Sequence, residues 1–402
     1  MKIDKVSFRT LRGTMATDGR FWEERLLRPL DVYDEFRRQG PFWLGYQSRA
    51  EQVDDHHYRL EATFVRIDTD QGVHGIAGPM SPAIAQIIAT QLAPLITGRD
   101  PRASEFLWDL MHRALVHGRQ GEPMMAISAV DCALWDLKGR WLDQPVWRLL
   151  GGPTRMEIPA YASMLGYDVE DLGRVRERAK AYQEQGYHAQ KWFFRHGPMS
   201  GPEGMRRNVA LVRTLRETLG PDDDIMLDCW QSMDFSYVVE LASRIAEYRP
   251  RWLEECAMPD RIDTYRRIKQ KIAIPLAGAE HEYTRWGFKR FIDQEALDVI
   301  QPDIYWCGGL SETLKIAAYA TVHDLITIPH GHSTPATIHF SLTQSPIHTP
   351  YQEFLVKWNA IHQHFLAHPI APEAGVLRAP EAPGLNMDLD EAKIESERDL
   401  AF

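Results

Sequence analysis

The sequence predicts an α/β protein: a (β/α)8 barrel, a modified TIM barrel, with an α+β capping domain built from the N-terminal segment and the C-terminal tail. Three observations carry this expectation. From about residue 158 short apolar runs alternate with amphipathic stretches, the pattern of parallel strands joined by helices. The first 125 residues alternate with period two instead, as antiparallel strands do. Acidic residues and one histidine then recur at the ends of successive barrel runs, one βα unit apart.

The cap is assigned to residues 1–125, with "KIDKVSFRTL" and "YRLEATFVRIDTDQGVHGIAG" as antiparallel strands and a hairpin at "DTDQG". "SPAIAQIIATQLAPLI" follows as a helix. Between the first strands lies an insertion, residues 14–50, rich in aromatics and arginine; a loop this long is expected to serve as a lid, or else as a helical surface excursion. The barrel is assigned to 126–367, its strands at "IPAYAS", "HAQKWFF", "DIMLDC", "RWLEEC", "PLAGAE", "DVIQPD", "ITIPH" and "YQEFLV". The Pro-rich tail, 368–402, leaves this pattern and is expected to pack back on the cap.

Composition narrows the function classes. The 402 residues carry a net charge of −10 with no basic tract, which argues against nucleic acid as a partner. No apolar run is long enough for a membrane span, and the start "MKIDKVSFRT" has no apolar signal core. The four cysteines stand singly, as expected for reduced thiols in the cytoplasm.

The strand ends hold Asp228, Glu254, Glu280, Asp303, His330 and Glu353, spaced by 26, 26, 23, 27 and 23 residues. All should therefore crowd the C-terminal rim of the barrel, where barrel enzymes act. Each acid alone reads equally as a helix cap or a salt-bridge partner. Asp228, Glu254 and Glu280 on consecutive strands repel unless a cation neutralises them, and an all-oxygen set selects Mg²⁺, one per chain, with Mn²⁺ as a substitute. Asp303 beside His330 makes a carboxylate-oriented general base the expected pair. His332, past the strand end, is expected on a loop or against substrate. Lys191 in "AQKWFF" is expected to stabilise a bound carboxylate, or to pair with a rim acid; Phe193, two residues on, offers no second base. Arg49 and Arg59 are candidate anion contacts from the cap, each equally readable as an exposed arginine, and Arg195 is a further candidate.

At these residues the chain resembles the enolase superfamily, mandelate racemase-like branch, over nearly its whole length. "MLDCWQSMD", "WLEECAMP", "AGAEHE", "QPDIYWCGGL" and "IPHGHS" look like the L-rhamnonate dehydratase group and related acid sugar dehydratases, and "KWFFRHGP" is similar to L-lyxonate dehydratase-like sequences. The resemblance implies Mg²⁺ on Asp228, Glu254 and Glu280, and a base dyad of His330 with Asp303. It further implies that Lys191 and Glu353 serve the substrate carboxylate and that His281 follows the third ligand at the rim. The implied reaction dehydrates a sugar acid to a 2-keto-3-deoxy acid, in a homo-oligomer, dimer or octamer. A racemase or epimerase of a hydroxy acid is the alternative, and a non-catalytic sugar-acid binding protein a second one.

Overall fold

A computed structural model describes residues 1–37, 48–398 and 400, the side chains of Ser48 and Arg49 excepted. The first sheet is antiparallel: β1 (Ile3–Ala16), β2 (Ser48–Gln52), β3 (His57–Thr69) and β4 (His74–Met80). β3 pairs with β1 along its length, and on its other edge with β2 and then β4. Alternating burial in β3, with Tyr58, Leu60 and Ala62 inside, fits a sheet with one face on a core. The β3–β4 hairpin turns at Gly72, whose φ of 76° is the left-handed region glycine adopts freely.

The helix Glu122–Leu142 covers this sheet, and the boundary expected at residue 125 falls inside it. Its buried residues, among them Ile127, Val130 and Leu134, pack with Leu60, Phe64 and Ile67 of the sheet. The helix therefore belongs to the core beneath the cap, because β4 presses directly on its backbone: a Cβ on Gly75 would meet the Ala133 carbonyl oxygen at 2.0 Å.

The second sheet holds eight parallel strands in sequence order, β5 (Glu157–Ser163), β6 (Ala189–Phe193), β7 (Asp224–Asp228), β8 (Trp252–Glu254), β9 (Leu276–Gly278), β10 (Val299–Ile300), β11 (Ile326–Thr327) and β12 (Gln352–Leu355). β12 pairs with β5. β11 and β12 are not paired; the segment leading into β12 bonds to β11 instead, with Thr327 N–H donating to the His348 carbonyl at 2.8 Å and Thr349 Oγ1 to the Thr327 carbonyl at 2.9 Å. The strands from β8 to β11 are shorter than their apolar runs, so Glu280, Asp303 and His330 stand on the loops just beyond. Inside the barrel Tyr161, Ala189, Met226, Trp252, Ala277, Val299 and Ile328 form one layer, drawn from successive strands.

The tail touches both layers. β13 (Val376–Arg378) adds antiparallel to β5, and β14 (Ser396–Arg398) adds to β1. Asp136 ties the three parts together: Oδ2 accepts from Ile76 N–H at 2.9 Å and Arg140 Nε at 2.7 Å, and Oδ1 from Leu385 N–H at 2.8 Å. No helix among the described residues is long and apolar enough to cross a membrane. Asp136→Ala would strand two buried amides and a partly buried guanidinium, and should lower unfolding stability by about 3–5 kcal/mol in chemical denaturation.

Candidate active site

The interior layer sets the site above it. Side chains two residues further along a strand face the same way. The residues two beyond Ala189, Met226, Trp252, Val299 and Ile328 are Lys191, Asp228, Glu254, Gln301 and His330. β9 breaks this parity: Ala279 takes a φ of 77°, and Glu280, not residue 279, enters the cavity wall. Backbone held in this way costs of order 1–3 kcal/mol and is kept where the surroundings impose it.

Lys191 sits at the centre, buried. Its ammonium lies 3.4 Å from Asp228 Oδ2 and 2.7 Å from Glu353 Oε1, and it also bonds to Glu254 Oε1. Burial alone would favour the neutral amine; the charges of Glu254, Glu353 and Asp228 outweigh it and hold Lys191 well above its ordinary pKa. Glu254 Oε2 also accepts from Trp252 Nε1 at 3.0 Å and Gln301 Nε2 at 2.9 Å. Even so, burial pushes Glu254 up to about 7, and raises Asp228 and Glu280 as well. Glu353 moves the other way: burial raises it, but the Lys191 and His330 charges prevail. Its Oε2 accepts from Gly331 N–H at 2.9 Å.

His330 and His332 share Asp303. His330 Nδ1 is 2.8 Å from Asp303 Oδ2, and His332 Nδ1 is 3.3 Å from the same oxygen. Asp303 Oδ1 accepts from Tyr305 N–H at 2.7 Å. Burial would raise the carboxyl; the two imidazoles overcome this and hold it far below the usual range. The histidines respond oppositely. Burial lowers both, but the shorter bond to Asp303 carries His330 upward overall, while His332 stays depressed. His330 Nε2 is 3.7 Å from Glu280 Oε2.

The sequence places a third imidazole, His281, only by its position after Glu280. His281 Nδ1 lies 3.0 Å from both oxygens of Glu255, and the Glu255 interaction outweighs burial to push it up to about 9. Glu255, φ 45°, is the second acid of "WLEEC", whose role spacing alone did not single out.

The fit to a divalent cation rests on the donor chemistry: buried carboxylates whose charge the protein compensates only in part. Among the described residues the ligand atoms gathered within 4.8 Å belong to Glu255, Glu280 and His281. The expected trio is less tightly drawn, because the Lys191 ammonium stands between Asp228 and Glu254. Glu280 is common to both sets.

These groups open into a cavity of about 1200 Å³, mouth included. Lys191, Phe193, Asp228, Glu280, His281, His330 and His332 line it, with Trp230, Trp306 and Trp358. Its outer wall comes from the insertion: Trp22, Glu24, Arg25, Leu26 and Arg28. The sequence does not single out these five, although "RFWEERLLR" is rich in aromatic and basic residues. The insertion's residues 38–47 lie outside the described residues.

Arg59 and Arg195 do not line the cavity, and the side chain of Arg49 lies outside the described part of the chain. Arg59 takes the outward parity of β3, is exposed, and stands 3.9 Å from Glu51. Arg49 is in β2, its backbone opposite Glu61. Arg195 lies behind the wall, with Nε 3.3 Å from Glu24 Oε1 and Nη2 donating to the Arg37 carbonyl.

The chain belongs to the enolase superfamily, in the mandelate racemase and muconate lactonizing enzyme branch. Residues 174–393 match the family model "Enolase C-terminal domain-like", and residues 48–151 that of the mandelate racemase / muconate lactonizing enzyme N-terminal domain. The chain is 35% identical to an L-rhamnonate dehydratase of Saccharopolyspora erythraea, covering 97% of each. It superposes on rhamnonate dehydratase from Gibberella zeae complexed with Mg (TM-score 0.82, 29% identity, 98% of this chain and 95% of that one). It also superposes on the 3,6-anhydro-D-galactonate cycloisomerase from Zobellia galactanivorans (TM-score 0.78, 28% identity, 98% and 100%).

Asp303→Asn would remove the hydrogen bond and the charge that raise His330, leaving only Glu353 to oppose burial and Lys191. The His330 imidazole pKa should fall from above to below the ordinary value of about 6.5, as read by NMR titration of the ring protons.

Proposed function

We propose that the protein is an acid sugar dehydratase, a Mg²⁺-dependent hydro-lyase acting on an aldonic acid of the L-rhamnonate or L-lyxonate type. The observation that carries this reading is the oriented His330–Asp303 pair facing a cavity floored by buried carboxylates and Lys191. The likeness to rhamnonate dehydratases over the whole chain supports it.

Mg²⁺ held by Asp228, Glu254 and Glu280, with Mn²⁺ as a substitute, would supply the charge that acidifies the substrate α-proton. Lys191 adds a fixed positive charge on the same side, next to Glu353, where the substrate carboxylate gains charge in the transition state. Asp303 holds the Nδ1 of His330, so Nε2 takes the α-proton. The same imidazole, now protonated, delivers that proton to the departing β-hydroxyl on one face. His332 and the aromatic rings of Trp230, Trp306 and Trp358 exclude water from the reacting carbons.

A second reading, a racemase or epimerase, draws on one observation. His281 also faces the cavity, with Nδ1 held by Glu255 and Nε2 remaining as a second imidazole nitrogen. Exchange of the α-hydrogen with solvent deuterium without loss of water would mark that activity. A cytoplasmic homo-oligomer, dimer or octamer, completes the proposal; all four cysteines are buried free thiols.

The deciding experiment screens mono- and diacid sugars with Mg²⁺ for 2-keto-3-deoxy product. A 6-deoxyhexonate or pentonate should give product, EDTA should abolish it, and binding without turnover of any sugar acid would sink the reading. His330→Asn should cut kcat by about 10²–10⁴ or more and remove α-proton exchange in parallel; exchange that survives would reveal another base.

A further inference from the structure

Lys357 is a buried cation that the chemistry above does not use. It lies on the helix Val356–His362, directly after β12, at 6% exposure. Its ammonium donates to the Phe21 and Gly166 carbonyls, the latter at 3.0 Å, and stands 3.3 Å from Glu23 Oε1. It also lies 3.9 Å from the centre of the Tyr167 ring. Glu23 in turn accepts from Arg178 Nη2 at 3.0 Å and from Asp168 N–H at 3.2 Å. One ammonium thus joins the inserted segment and the loop that follows β5 to the helix that follows β12.

The segment is fastened to the rim at two places. Glu23 N–H donates to the Gly166 carbonyl at 2.8 Å, and Leu27 N–H to the Phe194 carbonyl, beyond β6, at 2.8 Å. Between and beside these points stand the residues that wall the cavity, Trp22 to Arg28, with the Trp22 ring 6.0 Å from that of Trp358. Stability alone is a poor reason for such an arrangement. Burying an ammonium against one carboxylate that already serves Arg178 is costly, and an apolar side chain of similar length would satisfy the packing better. Burial pushes Lys357 down to about 8, with Arg178 and Arg20 adding to the fall and Glu23 resisting it. What an apolar residue cannot do is hold two backbone carbonyls and a carboxylate from different loops in one register.

We propose that Lys357 is a positioning residue that clamps residues 21–23 onto the Gly166 loop and so sets the outer wall of the substrate cavity. It touches no reacting atom in this scheme; it acts through Trp22 and the segment that follows. The kinetic consequence rests on the sugar-acid dehydratase reading, whereas the structural consequence does not.

The test compares the full chain with Lys357→Met, Lys357→Arg and Glu23→Gln by amide hydrogen exchange and by steady-state kinetics. In Lys357→Met, amides 21–28 should exchange about tenfold faster or more, with the barrel strands β5–β12 unchanged. KM for the sugar acid should rise about tenfold, with kcat within about twofold. Lys357→Arg should restore most of the protection, and Glu23→Gln should give a smaller loss in the same segment. Unchanged exchange at 21–28 would overturn the clamp, as would acceleration spread evenly over the barrel, the mark of a general structural role. If Lys357→Met does not fold, Glu23→Gln decides the question by the same segment-specific readout. If no sugar acid is turned over, the dehydratase reading fails while the exchange measurement still decides the clamp.

Discussion

Buried negative charge at the barrel mouth is the constraint on which the rest of this structure depends. Asp228, Glu254 and Glu353 converge on one ammonium, that of Lys191, and Glu280 and Glu255 stand next to them. Carboxylates in such a setting repel one another and resist ionisation; burial raises Asp228, Glu254 and Glu280 accordingly. The fold tolerates this at Glu254 because Trp252, Gln301 and Lys191 grip it at once.

Asp303 resolves a second problem, that of two histidines in one loop. His330 and His332 stack at 6.0 Å with their rings nearly parallel and compete for one carboxylate oxygen. The closer contact goes to His330, which faces Glu280, while His332 turns its ring edge-on to His362 at 4.2 Å. Burial lowers both imidazoles, but the closer bond to Asp303 and the Glu353 charge raise His330 overall, while His332 stays below its ordinary pKa.

The sequence made the barrel and its charged rim legible because a βα unit has a nearly constant length. Steps of 23–27 residues place Asp228 through Glu353 on one face whatever the helices contain. The positions could be read; the local backbone could not. Ala279 and Glu255 take positive φ, which shifts Glu280 into the wall and pairs Glu255 with His281, and nothing in an Ala or a Glu announces a left-handed conformation. Arg59 shows the opposite case: its outward parity follows from the alternation in β3, which chemical type alone had obscured. The clamp was invisible for another reason, since Lys357 and Phe21 are 336 residues apart and no periodicity relates them.

The two levels of legibility coincide with two jobs. The matched family spans, 48–151 and 174–393, contain every carboxylate and imidazole of the rim, together with Lys191. Trp22, Glu24, Arg25, Leu26 and Arg28, which close the cavity opposite them, lie outside both spans. Proton abstraction next to a carboxylate needs the first set, because the charge it stabilises is the same for any sugar acid. On the dehydratase reading the second set would meet the remainder of the substrate, where sugars differ by a hydroxyl or a methyl group. A wall built on an inserted segment can change its side chains without moving a strand, provided that its fastening to the barrel is kept. On this argument the fastening at Gly166, Phe194 and Lys357 constrains the insertion physically, since it holds the cavity wall in one register with the rim.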